Sequence, residues 1–169
     1  MLSLRKARPA DAALLHDMGN ASYRHHFTHL WNHPDELETF LVQEYSLPSL
    51  SQSLGNDLSC WFIASNPEPV GFAKVTWHSP LDDNGAAGTL LHKLYLLPGE
   101  TGKGQGEAII SQLMAMARQR GESRFWLEVL AENRGAYRFY RRLGFSHLRD
   151  ELFSTARQQS QIHIMAQAL

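Results

Sequence analysis

The chain has little cysteine, no excess of charge of one sign and no long apolar run. Cys60 is the only cysteine among 169 residues, which excludes an internal disulfide and a structural zinc site built on several cysteines. The 16 basic and 17 acidic side chains leave a net charge of −1, which disfavours a protein that binds nucleic acid by neutralising phosphates. No segment approaches the run of about 18 apolar residues that a membrane helix needs, and residues 1–6 do not resemble a signal peptide. We therefore expect a cytoplasmic protein that binds neither nucleic acid nor membranes.

The composition is that of an ordinary globular domain. Hydrophobic residues make up 43% and charged residues 20% of the chain, close to the averages for folded proteins. A domain usually takes about 100–200 residues. We therefore expect a single domain over residues 1–169.

The hydrophobic patterning predicts a mixed α/β (α+β) chain. Helices are indicated after Pro9, Pro34 and Pro48, after a glycine-rich loop, and over residues 133–143. The predicted strands cover residues 2–7, 61–64, 70–78, 89–97, 125–130, 145–153 and 161–169, and residues 79–88 are predicted to be a loop.

A glycine-rich loop follows the most apolar of these strands and precedes a helix. Gly102, Gly104 and Gly106 surround Lys103, and a helix N-terminus behind such a turn is typical of anion binding. The loop is not a phosphate-binding P-loop, because Gly104 stands where Ser or Thr must follow Gly-Lys. It also fails the dinucleotide pattern, whose third glycine would fall on Glu107 or Ile109.

A second motif occupies residues 133–145, NRGAYRFYRRLGF. It is similar to the N-x-x-A-x-x-F-Y-x-x-x-G-F segment of the GCN5-related N-acetyltransferase (GNAT) superfamily, and every marked position matches. The glycine loop resembles the R/Q-x-x-G-x-G/A loop of the same superfamily, with Thr101 in place of the usual Arg or Gln. The two motifs cover about residues 90–146.

The resemblance implies a fold, a co-substrate and a reaction. The fold is a mixed, mostly antiparallel twisted sheet of six or seven strands with splayed central strands, flanked by four or five helices. The co-substrate is acetyl coenzyme A, whose acetyl group is attacked directly by a primary amine without metal. Tyr140 would donate a proton to the departing thiolate, and homodimers are common in such proteins. The implied cofactor-binding residues are Leu94, Tyr95, Leu96, Gly102, Lys103, Gly104, Gln105, Gly106, Glu107, Asn133 and Tyr140.

Two of these residues could have a purely structural role instead, and several groups are candidates for the catalytic base. Tyr140 also fits a core aromatic residue, and Asn133 also fits a helix N-cap. Glu128, on the strand before the second motif, is the candidate base, with His78, His92 or water as alternatives.

The acceptor amine is indicated by charge and by a looser similarity. Eight arginines and three glutamates lie between residues 118 and 149, which suits the phosphates of coenzyme A or a solvated face. Several stretches resemble the bacterial spermidine/spermine N-acetyltransferase branch and favour a small amine or polyamine. A protein amine as acceptor, or a non-catalytic coenzyme A sensor, are the alternatives. The acids of the second predicted helix, which could attract a cationic amine, are Asp35, Glu36, Glu38 and Glu44.

A cluster of histidines precedes that helix. His25 and His29 are four residues apart and could share a helix face, a spacing compatible with a metal pair. No neighbouring cysteine or HExxH pattern supports a metal, so we expect a polar rim at the substrate entrance and no metal site. The cluster consists of His25, His26, His29 and His33.

Overall fold

A computed structural model describes all residues from 1 to 169, and it has seven strands and five α-helices. Short 3₁₀ turns, Pro9–Asp11 and Thr28–Leu30, flank the first helix. None of the helices has the length and apolar character that a membrane crossing requires. The elements are β1 (Ser3–Lys6), α1 (Ala12–Phe27), α2 (Pro34–Tyr45), α3 (Leu47–Leu54), β2 (Ser59–Ser65), β3 (Pro69–Pro80), β4 (Ala87–Leu96), α4 (Gln105–Gln119), β5 (Arg124–Leu130), α5 (Arg134–Arg142), β6 (Ser146–Ser154) and β7 (Gln159–Ala168).

The seven strands form one mixed sheet in the order β1-β2-β3-β4-β5-β7-β6. The pairs β1–β2, β5–β7 and β6–β7 are antiparallel, whereas β4 and β5 are parallel. Parallel neighbours need a long crossover connection, and α4 supplies it here. The predicted mixed, mostly antiparallel sheet with flanking helices is confirmed.

The chain packs into two compact units. The first unit consists of Met1–Val75 and Lys93–Ile110, and the second consists of Thr76–His92 and Ser111–Leu169. Strands β3 and β4 and helix α4 contribute residues to both units. The sequence predicts a single domain over residues 1–169, and the division into two packing units leaves this a prediction.

Helix α2 shows how local sequence builds the first unit. Pro34 occupies the first helical turn, and two acids follow it at the positive end of the helix dipole. Leu37, Leu41 and Tyr45 recur every four residues and are all buried. The apolar stripe therefore faces the core of the first unit.

The second unit is built on the antiparallel strands β5, β7 and β6. Leu127 lies opposite Met165, and Glu128 lies opposite Ile164. A β-bulge at Leu148 interrupts the pairing of β6 with β7, between His147 and Arg149. Alternate residues of β5 therefore point to opposite faces of this part of the sheet, and the bulge changes that alternation within β6.

Most predicted boundaries differ from the structure by one or two residues, and two of the differences bear on the fold. The helix expected at Pro9 begins as a 3₁₀ turn, because the Asp11 carboxylate accepts hydrogen bonds from the Arg8 N–H at 2.7 Å and from the Arg5 guanidinium, and α1 starts only at Ala12. The loop predicted over residues 79–88 is shorter, since β3 extends to Pro80 and β4 starts at Ala87.

Candidate active site

The loop between β4 and α4 has the backbone conformation of an anion-binding turn. Gly102 and Gly104 have φ angles of 78° and 77°, in the left-handed region that favours glycine. A Cβ atom at either position would meet nothing within 4 Å. Backbone conformation, and not lack of space, is therefore what requires glycine at these two positions.

The helix behind this turn presents backbone N–H groups at its N-terminus. Helix α4 starts at Gln105, and the Ala108 N–H donates to the Gly104 carbonyl at 3.2 Å. The N–H groups of Gln105, Gly106 and Glu107 precede that bond and have no acceptor within the helix. Such a terminus carries partial positive charge and binds anions.

The side chains of Lys103, in the loop, and of Gln105, at the start of α4, have different surroundings. Gln105 is 6% exposed, and its amide nitrogen donates at 3.0 Å both to the Glu100 carbonyl and to the Glu100 carboxylate. Asn66 donates to the Gln105 amide oxygen at 3.4 Å. Lys103 is exposed and contacts only Glu100, at 3.5 Å. A ligand at the loop would therefore meet the Lys103 ammonium and the backbone of Gln105.

The last residues of β4, which the resemblance implies as cofactor-binding residues, are Leu94, Tyr95 and Leu96. All three are partly exposed. The Tyr95 ring packs edge-on against Phe72 with the ring centroids 5.8 Å apart, and the Leu96 carbonyl lies 3.0 Å from His26 Nε2. These contacts hold the strand end in place while part of each residue faces solvent.

A buried ion pair that the sequence analysis missed lies one residue earlier on β4. The Lys93 ammonium donates to the Glu44 carboxylate at 2.8 Å, and only 5% of the Lys93 side chain is exposed. The same ammonium lies 5.3 Å from the centroid of the Tyr45 ring. The Tyr45 hydroxyl is buried with no hydrogen-bond partner, and burial raises its pKa well above the usual value. A lysine within the most apolar of the predicted strands was the one sequence signal of this cluster.

The acidic face expected on α2 is partly neutralised. The Arg24 guanidinium donates to both carboxylate oxygens of Glu38, at 2.6 and 2.8 Å, and Glu44 pairs with Lys93. An open groove of about 550 Å³ lies between α1 and α2, with Arg24 and Glu38 among its lining residues. None of the predicted cofactor-binding residues lines this groove.

The histidine cluster does not form the predicted helix face. Helix α1 ends at Phe27, and His29 lies in the 3₁₀ turn Thr28–Leu30. His25 and His29, whose spacing could have placed them on one helix face, therefore lie in different elements. His26 instead bonds the end of β4, as described above.

In the second unit, Asn133 and Tyr140 lie at the start and within the last turn of α5. The Asn133 side chain accepts a hydrogen bond from the Ala136 N–H at 3.2 Å, so the N-cap interpretation of Asn133 is confirmed. The Tyr140 ring meets Phe145 edge-on at 5.7 Å. No protein group bonds the Tyr140 hydroxyl, and burial raises its pKa above 10.0. The phenol therefore stays protonated at neutral pH.

Glu128 lies on the opposite face of β5 from helix α5. Tyr137 of α5 packs against His163, at 5.1 Å between ring centroids, and His163 pairs with Val129. Because neighbouring residues of a strand alternate, Glu128 faces away from α5. Partial burial raises the pKa of the Glu128 carboxyl, the negative charge of Glu151 raises it further, and Arg149 lowers it. The structure therefore does not bring Glu128 and Tyr140 together on one face.

The two histidines that were alternative candidates for the base, and the arginines of α5, are exposed. The His78 N–H donates to Glu122 Oε1 at 2.6 Å, and the His78 ring lies 3.4 Å from the same carboxylate. His92 is exposed on β4. The arginines of α5 are exposed and form no ion pair, which leaves them available for phosphate contacts. They are Arg134, Arg138, Arg141 and Arg142.

The chain resembles known proteins in both sequence and fold. It is 37% identical over 82 residues to an uncharacterised N-acetyltransferase of Methanocaldococcus jannaschii, a match that covers 47% of this chain and 35% of the relative. It is 31% identical over 87 residues to the streptothricin acetyltransferase of Streptomyces lavendulae, covering 50% of this chain and 42% of the relative. The matched stretches thus span less than half the length of these curated relatives.

A solved structure shares the fold over the whole chain. It is that of the PaiA N-acetyltransferase from Thermoplasma acidophilum in complex with coenzyme A, with a TM-score of 0.76 and 18% identity, covering 100% of this chain and 99% of that one. The model of the acetyltransferase (GNAT) family matches residues 20–145, a range that contains the glycine loop and the second motif. The chain therefore belongs to the acetyltransferase (GNAT) family, as its two motifs predicted.

Proposed function

We propose that this protein is an acetyl coenzyme A-dependent N-acetyltransferase that acts on the primary amine of a small molecule. The observation that carries the proposal is the glycine turn at the end of β4, which leaves the N–H groups at the start of α4 unpaired. Membership of the acetyltransferase (GNAT) family supports acetyl coenzyme A as the co-substrate.

The residues of the turn fit the diphosphate of coenzyme A. The N–H groups of Gln105, Gly106 and Glu107 suit the negatively charged oxygens of a diphosphate. The exposed Lys103 ammonium adds a positive charge beside them. Thr101 lacks the charge or amide of the usual Arg or Gln, so the backbone and Lys103 are expected to supply most of the binding.

Tyr140 is proposed as the general acid. Acetyl coenzyme A, when bound, supplies the thioester whose acetyl group is transferred. Tyr140 Oη donates its proton to the departing sulfur, and its raised pKa keeps that proton available over the whole neutral range. The exposed arginines of α5 are proposed to contact phosphates of the co-substrate.

Glu128 is proposed as the base that takes a proton from the amine, directly or through water. Its raised pKa brings the carboxylate closer to neutral pH, where a general base works best. The sulfur and the amine nitrogen bond to the same carbon during transfer, so a base on the opposite face of β5 from Tyr140 is proposed to reach the amine through water.

A polyamine or another small cationic amine is the proposed acceptor. The acids of α2 support it, although Glu38 and Glu44 already pair with Arg24 and Lys93. Asp35 and Glu36 at the start of α2 add negative charge on the same helix. The fold neighbours include a spermidine/spermine N-acetyltransferase from Vibrio cholerae, at a TM-score of 0.66 and 17% identity.

The proposal is tested by incubating the protein with acetyl coenzyme A and following thiol release with a panel of amines. The panel contains polyamines, amino acids, streptothricin-like antibiotics and peptides with free N-termini. We expect amine-dependent release of one thiol per acetylated amine, and the fastest release with a polyamine. Fastest release with peptides would replace the small-molecule acceptor by a protein amine. Tight coenzyme A binding without turnover on any amine would identify a sensor and overturn the proposed activity.

A further inference from the structure

Two histidines and an aspartate meet at the edge of the sheet in the second unit, on the face opposite Glu128. The Asp150 Oδ1 atom lies 2.7 Å from His147 Nε2 and 2.6 Å from His163 Nδ1. The three side chains offer one ligand atom each, and these atoms all lie within 4.8 Å of one another. The spacing of these three residues along the sequence did not predict the cluster.

The β-bulge at Leu148 creates the cluster. Residues 147 and 150 of a regular strand would point to opposite faces, because side chains alternate. The extra residue of the bulge shifts the alternation, so His147 and Asp150 lie on the same face of β6. His163 lies directly opposite Asp150 on β7 and joins the two from the neighbouring strand.

The donor atoms suit a divalent transition-metal ion. Two imidazole nitrogens and one carboxylate oxygen form a set that Zn²⁺ and its neighbours in the first row bind, with water in the remaining positions. Ligand atoms bound to one such ion lie roughly 3.3 Å apart at metal–ligand distances of about 2.1 Å. Binding of one ion would bring the two imidazole nitrogens, which lie within 4.8 Å of each other, closer together. It would also move the Asp150 carboxylate outward by a fraction of an ångström from its present distances of 2.6–2.7 Å. The Asp150 side chain is 38% exposed and can make that movement.

The surroundings of the cluster orient the ligands and leave it open. Gln161 Nε2 donates to the second carboxylate oxygen of Asp150 at 2.9 Å, the type of outer contact that holds a metal-binding carboxylate. The Tyr137 ring packs edge-on against both imidazoles, at 5.9 and 5.1 Å. No lysine or arginine pairs with Asp150, since the neighbouring Arg149 bonds Glu151 and the Leu81 carbonyl instead.

We propose that His147, Asp150 and His163 form a binding site for a divalent transition-metal ion such as Zn²⁺, which fastens the edge strand β6 to β7. None of these three residues has a role in the proposed acetyl transfer. The site holds its ion whether or not that activity is found.

The proposal is tested on the full chain without an affinity tag, in metal-free buffer at neutral pH. Zn²⁺ binding is measured by calorimetry, and Co²⁺ binding by visible d–d absorption. The variants are His147→Gln, Asp150→Asn and His163→Gln. The matched control is the double variant His25→Gln/His29→Gln, which removes two exposed histidines of the first unit. We expect one ion per chain, a loss of affinity of about 100-fold or more for each ligand variant, and unchanged affinity in the control.

A second measurement needs no variant. In the Co²⁺-loaded protein, His147 is expected to bind through Nε2 and His163 through Nδ1, so each ring keeps one N–H. Proton NMR should show two paramagnetically shifted resonances that disappear in D₂O. Absence of stoichiometric binding overturns the proposal, and so does binding that is lost in the His25/His29 control but kept in His147→Gln.

Discussion

The Lys93 ammonium donates to the Glu44 carboxylate at 2.8 Å, although Lys93 lies on a sheet strand and Glu44 on a helix 49 positions earlier. Only 5% of the Lys93 side chain is exposed, against 32% of Glu44. The pKa of the neighbouring Lys74 is lowered, first by burial and then by the positive charge of Lys93. The Glu44 carboxylate therefore stabilises two partly or fully buried ammonium groups.

Glu44→Gln is expected to destabilise the protein by about 1–3 kcal/mol, because it leaves the buried Lys93 charge unpaired. This loss of unfolding free energy is smaller than for a fully buried pair, since Glu44 is partly screened by solvent. Urea unfolding at pH 7 measures the change. The double variant Glu44→Gln/Lys93→Met should recover most of the lost stability, because it removes the unpaired charge as well. Equal loss in the single and the double variant would contradict this account.

Tyr140→Phe is expected to lower kcat by about 100-fold, the range of a lost general acid, and to leave the affinity for acetyl coenzyme A nearly unchanged. The Phe ring keeps the edge-on contact with Phe145, so folding should be preserved. Thiol release gives kcat, and calorimetry gives the affinity. Tyr137→Phe on the same helix is the matched control and should retain full turnover. An unchanged rate in Tyr140→Phe would remove this residue as the acid.

The pH profile of kcat/KM tests Glu128 as the base. A base works when deprotonated, so the rate should rise with pH through the raised pKa of Glu128 and should lose that limb in Glu128→Gln. Glu151→Gln removes a negative charge that raises this pKa, so the rising limb should move to lower pH. Arg149→Gln removes a positive charge that lowers it, so the limb should move to higher pH. A limb that stays in place in all three variants would assign the base to another group.

Gly106→Ala is expected to weaken the binding of acetyl coenzyme A without lowering the stability of the fold. Gly106 lies within the first turn of α4, where alanine is intrinsically better than glycine, so stability should be equal or higher by up to about 1 kcal/mol. The added methyl group stands beside the N–H groups proposed to bind the diphosphate, so the affinity for acetyl coenzyme A should fall by about tenfold or more. Gly55→Ala, at the end of α3, is the control and should leave the affinity unchanged. An undiminished affinity in Gly106→Ala would mean that the diphosphate does not approach this backbone.

Local elements could be predicted because their causes lie within a few residues. The start of α2 at Pro34 and the buried face of α4 both follow from residues less than about two helical turns apart. The apolar residues that recur at helical spacing along α4 are all buried, and they are Ile109, Ile110, Leu113, Met114 and Ala117. Family membership was also readable, because both motifs depend on fixed local spacing.

The placement of Glu128 could not be predicted in the same way. The sequence assigns it to a strand, but the face on which it lies depends on where α5 packs and on how β5 pairs with β7. Register between strands is decided by contacts over tens of residues, and a shift of one residue would move Glu128 to the other face.

The sequence by itself determined the order of the elements, the glycine turn before α4 and the two motifs of the acetyltransferase (GNAT) family, because backbone propensity and local spacing suffice for these. Only the tertiary structure decided that Lys93 is neutralised by Glu44 and that His147, Asp150 and His163 converge. The first depends on a helix packing against a distant strand. The second depends on one extra residue, Leu148, in the pairing of β6 with β7, and no alternation pattern in the sequence reveals it.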